Sequence, residues 1–175
     1  FAVMMALLVI GFLVTRQTPL TPLLMVLILF LNDFLTMSIS SDRMDYSRQP
    51  NRWNTRGILL TSVVLAACKL VFSLGVLLYG HYALRLDARS LQTLTFATLI
   101  LSSQAGVYLL RERGHLWHSR PGRYLVGSSV LGLGVTALLA LGGIFMPSIS
   151  PSILLGVAVV GAAYFFCLDW VKVRL

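Results

Sequence analysis

Phe30-Leu31-Asn32-Asp33-Phe34-Leu35-Thr36-Met37-Ser38-Ile39-Ser40-Ser41-Asp42-Arg43 is the stretch on which the reading of this chain turns. It follows directly on the apolar run Leu23-Leu24-Met25-Val26-Leu27-Ile28-Leu29 and then sets an amide beside a carboxylate. A charged side chain at such depth in a membrane helix costs about 2.5–3.5 kcal/mol on insertion scales, so it is kept where it has a partner or a task. If the stretch is helical, Asp33, Thr36, Met37 and Ser40 fall on one face at i, i+3, i+4 and i+7. The result is a polar stripe on an apolar rod, closed by Asp42 and Arg43.

The surroundings are those of a membrane protein. Hydrophobic residues make up 57% of the 175 and charged residues 11%, against about a quarter charged in a soluble domain. Mean hydropathy is +0.84. The net charge of +8 does not indicate nucleic acid, because the basic residues sit in short loops between apolar runs. That distribution specifies membrane orientation instead.

Working outward from Asp33, a span needs about 20 apolar residues. The chain supplies five full runs and one partial one, at about 1–14, 20–40, 57–79, 91–110, 124–145 and 152–170. The expected fold is therefore all-α, a polytopic bundle of six spans. Pro19 and Pro22 lie where a helix starts and needs no amide donors. The chain does not begin with Met, and residue 1 already lies within an apolar run. Starting at Met4 or Met5 would leave a short first helix, so the chain is expected to be the tail of a longer polypeptide.

Loop 41–56, loop 111–123 and the C-terminal tail hold ten Lys and Arg residues, whereas the opposite side holds Arg16, Arg85 and Arg89. Positive residues mark the cytoplasmic side, so both chain ends are expected there. Trp53, Trp117, Tyr124 and Trp170 then fall at the cytoplasmic interface, which favours amphipathic aromatics. Cys68 and Cys167 stand alone in apolar runs and are read as buried packing thiols. His115 and His118 lack Cys or acidic partners, and no metal site is expected. Ser102, Ser103 and Gln104 form a polar cluster read as cross-helix packing contacts. Small residues four apart, Ser128 with Gly132 and Ser152 with Gly156, suit close helix approach.

Leu31-Asn32-Asp33, then Thr36-Met37-Ser38-Ile39 and Ser41-Asp42-Arg43, resembles the sixth transmembrane helix of plasma-membrane proton-pumping P-type ATPases and their bacterial relatives. The likeness runs from about Thr21 into Pro50 and Trp53. It implies that the chain is helices five to ten of a cation-transporting ATPase in the cell membrane. Asp33 would then be the ion-binding carboxylate, with Asn32 beside it in a locally unwound segment and Thr36 and Ser40 as further oxygen donors. Asp42 and Arg43 would couple helix motion to the phosphorylation domain.

This chain departs from that family at two points. Residues 1–15 hold no basic residue to match the membrane arginine of the plant and fungal proton pumps. Lys69, deep in the third span, is the expected replacement as countercharge to Asp33. Nor does any segment resemble Asp-Lys-Thr-Gly-Thr or a nucleotide-binding domain. ATP and Mg2+ would be needed by the intact pump, whose catalytic domains and first helices this segment lacks. The transported cation is expected to be a proton, with calcium, magnesium or sodium as alternatives. A self-contained six-span carrier, channel or membrane anchor is the competing class.

Overall fold

A computed structural model describes residues 2–40, 55–111 and 122–174. Every element in it is helical: α1 Ala2–Thr15, α2 Pro22–Ser40, α3 Thr55–Tyr82, α4 Ala88–Arg111, α5 Arg123–Gly142 and α6 Pro151–Arg174. Each apolar run in the sequence coincides with one helix. Three are long and apolar enough to cross a membrane, over Leu59–Tyr82, Arg123–Gly142 and Pro151–Trp170. At 14 residues, α1 rises about 21 Å, short of the roughly 30 Å of bilayer hydrocarbon.

Local chemistry sets the helix ends. Pro22 opens α2, and Thr21 caps it by accepting a hydrogen bond from the Leu24 amide onto Oγ1 at 3.4 Å. Gly143 closes α5 at φ 68°, a left-handed conformation that glycine adopts without steric cost. No unwinding interrupts α2 at Asn32 and Asp33: the helix runs unbroken to Ser40. The expected local unwinding is therefore absent. The Thr36 hydroxyl donates to the Asn32 carbonyl at 2.7 Å, four residues back along the helix.

α4 is the centre of the bundle and packs against α2, α3, α5 and α6. Around it α1 meets α3, α2 meets α5, and α3 meets α6, whereas the consecutive helices α5 and α6 hardly touch. This position explains why α4, long enough at 24 residues, is more polar than its neighbours. The whole run Thr93–Ile100 is buried, so its hydroxyls face protein rather than lipid. Two of them bond the helix itself, Thr95 Oγ1 to the Leu91 carbonyl and Thr98 Oγ1 to that of Leu94, both at 2.8 Å, and Thr93 Oγ1 also reaches the Pro147 carbonyl at 3.1 Å. Satisfied in this way, a hydroxyl is tolerated in an apolar interior.

The main core joins Leu7 of α1, Leu24, Ile28 and Leu31 of α2, Leu77 of α3 and Phe96, Leu99 and Ile100 of α4. A second core sits between α3 and α6 around Phe72 and Phe165. The cysteines differ from expectation: Cys68 is half-buried and Cys167 is exposed. An isolated thiol in an apolar run says nothing of which way its helix face turns, and in α6 that face turns outward.

Candidate functional site

A cavity of about 280 Å³ opens among α1, α2, α3 and α4. Its polar wall is Asn32, Asp33 and Thr36 from α2, Lys69 from α3, and Ser102 and Ser103 from α4. Val3 and Met4 of α1, with Ile28, Leu29 and Leu99, complete it. One carboxylate and one ammonium therefore share a single space otherwise lined by hydroxyls, an amide and apolar side chains.

Asp33 and Thr36 are exposed, Asn32 and Lys69 are half-buried, and Ser102 is buried. The i, i+3 relation of Asp33 and Thr36 puts them on the same side of α2. Asp33 and Lys69 form no ion pair with each other in this structure. The hydroxyls of Thr36 and Ser102 are tethered to their own helix, to the Asn32 carbonyl at 2.7 Å and the Leu99 carbonyl at 3.0 Å. A hydroxyl that donates to a carbonyl keeps its oxygen lone pairs for a ligand. Both can therefore still accept from a hydrated or protonated species in the cavity.

Lys69 owes its place to the opposite helix. Its Nζ lies over Gly106 of α4, in the space that a β-carbon at position 106 would fill. Behind it, the Tyr164 hydroxyl of α6 donates to the Cys68 carbonyl at 2.9 Å, fixing α3 one residue from the lysine. A neighbouring pair uses the same device: the Gln104 amide nitrogen would lie 2.7 Å from a β-carbon built on Gly132 of α5. Gln104 Oε1 is buried and has no hydrogen-bond partner among the described residues.

The other expected site residues are placed as follows. Ser40 ends α2, but its side chain lies outside the described residues, as do Asp42, Arg43, His115 and His118. Ser38, one turn beyond Phe34, instead bridges helices, its Oγ 2.7 Å from that of Ser128 on α5. Among the described residues there is no group of three His, Cys, Asp or Glu able to hold a metal. Sequence reasoning assigned Ser102 and Ser103 to packing, yet both line the cavity with Asp33. Their adjacency in an apolar run was the available signal. Gly106 carried no such signal. Asp169 of α6 was also passed over; it is fully buried, partnered, and apart from the cavity lining.

Comparison with known proteins gives two findings. The family model for the C-terminus of cation transporting ATPases matches residues 17–174. A protein of Methanocaldococcus jannaschii named "putative cation-transporting ATPase" is 32% identical over 132 residues, which cover 75% of this chain and 16% of the relative.

Proposed function

The chain belongs to the family formed by the C-terminal region of cation-transporting ATPases, and from that premise we propose that the Asp33 cavity is where the intact pump carries its ion, a proton. The family and the three long apolar helices make this an integral membrane protein. Because it spans only a small part of its relative's length, ATP hydrolysis is assigned to the remainder of the polypeptide. In this reading ATP and Mg2+ are used by that remainder, since this segment has no Asp-Lys-Thr-Gly-Thr sequence.

The observation that carries the ion assignment is that one acidic side chain, Asp33, and one basic one, Lys69, line the same cavity. Calcium and magnesium take six or more oxygen ligands, usually with several carboxylates. A cavity with one carboxyl side chain and a basic one beside it offers them little. A proton needs no coordination shell, only a carboxyl that can hold it and a way to compensate the charge left behind when it goes. Lys69 supplies that compensation.

In this reading Asp33 accepts a proton from the cytoplasmic side and carries it as a neutral acid while the cavity closes. It then releases the proton outward when the helices rearrange. Two alternating arrangements biased by phosphorylation elsewhere are enough to drive the cycle. Asp42 and Arg43, next along the chain from α2, would transmit that bias. Pumping takes place across the cell membrane.

The test uses the full-length protein reconstituted in sealed vesicles, with ATP-driven proton movement followed by a pH-sensitive dye. Asp33→Asn is expected to abolish proton movement. Undiminished pumping by that variant would overturn the reading, and ATP-independent flux through the native protein would favour a passive carrier. Wild-type uptake of calcium, magnesium or sodium in place of protons would keep the family and change the ion.

A further inference from the structure

We infer that Gly106 is a positioning residue: its missing β-carbon forms the berth that sets where the Lys69 ammonium stands in the cavity. The inference rests on the reading of Asp33 and Lys69 as the working pair and adds the residue that places one of them.

The geometry is specific. Lys69 leaves α3 at a level held to α6 by the Tyr164 hydroxyl on the Cys68 carbonyl and by the stacked rings of Phe72 and Tyr164, 4.9 Å between centroids. The start of the side chain is thus fixed. Its far end lies across α4 at Gly106, which is buried, with both Nζ and Cε where a β-carbon would be. Gly11, Gly80 and Gly132 are filled in the same way, by Pro19, Leu94 and Gln104, but none of them receives a cationic side chain, and other helical glycines are open. Gly75 of α3, Gly127 and Gly134 of α5 and Gly156 of α6 each have nothing within 4 Å of a built β-carbon. Gly106 is instead filled by the one lysine on the cavity wall.

An alanine at 106 has one way to fit: the lysine end must leave its buried berth, because the helix backbone beneath it cannot move. Leaving the berth, the ammonium swings along the cavity. The titratable groups around it are Asp33 on α2, Cys68 beside it on α3 and Tyr164 behind it on α6. The cavity residues of α1 and α4, Val3, Met4, Leu99, Ser102 and Ser103, bring none. Displacing the lysine end therefore changes chiefly its distance from Asp33, the residue read above as the proton carrier.

The experiment is a double-mutant cycle on the full-length protein with Gly106→Ala, Lys69→Ala and the pair, read both by thermal unfolding and by the pH profile of ATP-driven proton transport. Gly106→Ala alone is expected to lower the unfolding temperature and to shift the pH profile. In the Lys69→Ala background the same substitution should do neither, since a shortened side chain leaves the berth empty. If Gly106→Ala does not fold, recovery of folding in the double variant gives the same answer. The inference is overturned if Gly106→Ala costs as much with Lys69 absent as with it present, or if it leaves the pH profile of the wild type in place. The unfolding arm is independent of ion transport. Failure of Asp33→Asn to stop pumping would refute the ion site without deciding the berth.

Discussion

Tyr164 of α6 donates its hydroxyl to the main-chain carbonyl of Cys68, 2.9 Å away on α3, and in doing so ties α6 to the turn that carries Lys69. The ring adds to the bond. It stacks on Phe72 at an interplanar angle of 18° and meets Phe165 edge-on. Tyr164→Phe removes the hydrogen bond alone and should destabilise by about 0.6 kcal/mol, the average for cross-helix bonds in a membrane protein. Tyr164→Ala also removes the stack and should cost toward the lower end of the roughly 3–5 kcal/mol seen for large aromatic truncations, because the ring is only half-buried. Unfolding of the purified protein in detergent ranks the two, and equal losses would mean that the ring contributes nothing.

Asp33→Asn should leave unfolding within about 0.5 kcal/mol of wild type, the range of substitutions that disturb no packed or bonded group. Asp33 is exposed on the cavity and carries no hydrogen bond that the bundle depends on. Loss of transport with stability retained is the expected signature. A large fall in stability would recast Asp33 as a structural acid.

The hydroxyls of Ser38 and Ser128, 2.7 Å apart, join α2 to α5. Single substitutions to Ala and the double variant should show a coupling near 0.6 kcal/mol and below about 1.7 kcal/mol. Strict additivity in the cycle would show that the contact does no stabilising work.

α5 contains its own control experiment. Gly127 and Gly134 face open space, whereas a β-carbon on Gly132 would stand 2.7 Å from the Gln104 amide nitrogen. Gly127→Ala and Gly134→Ala should therefore be neutral or stabilising by about 0.4–1 kcal/mol. Gly132→Ala should destabilise by about 1–3 kcal/mol through overpacking, and less so when Gln104 is shortened to Ala. Equal effects at all three positions would argue that helix propensity, not contact with α4, governs them.

How much of this was legible in the sequence can be argued from the same residues. The six helices follow from the apolar runs, because a run of about 20 apolar residues has few other stable uses. Pro19 and Pro22 marked the start of the second span, expected from about residue 20, since their fixed φ and missing donor suit the first turn, and α2 begins at Pro22. Asp33 announced itself by its cost in an apolar stretch. Asn32-Asp33 and the Thr36-Met37-Ser38-Ile39 run that follows suggested a proton-pumping P-type ATPase, and the match over residues 17–174 agrees with the broader family of cation-transporting ATPases. The expected unwinding at Asn32 was carried over from that likeness and is absent from a continuous α2.

The sequence by itself determined where the helices lie, that the protein is a membrane protein, and that Asp33 is an acid in an apolar stretch. All three follow from transfer free energies that depend on composition along a short window. Only the tertiary structure decided that Lys69 and Ser102 stand on the same cavity as Asp33, that polar α4 is central and shielded, and that Gly106 and Gly132 are filled by Lys69 and Gln104. Those facts depend on how helix surfaces fit. In lipid the apolar effect does not choose between helix faces, so close packing of small residues against particular side chains makes the choice. That complementarity links residues far apart in the chain, and no local pattern records it.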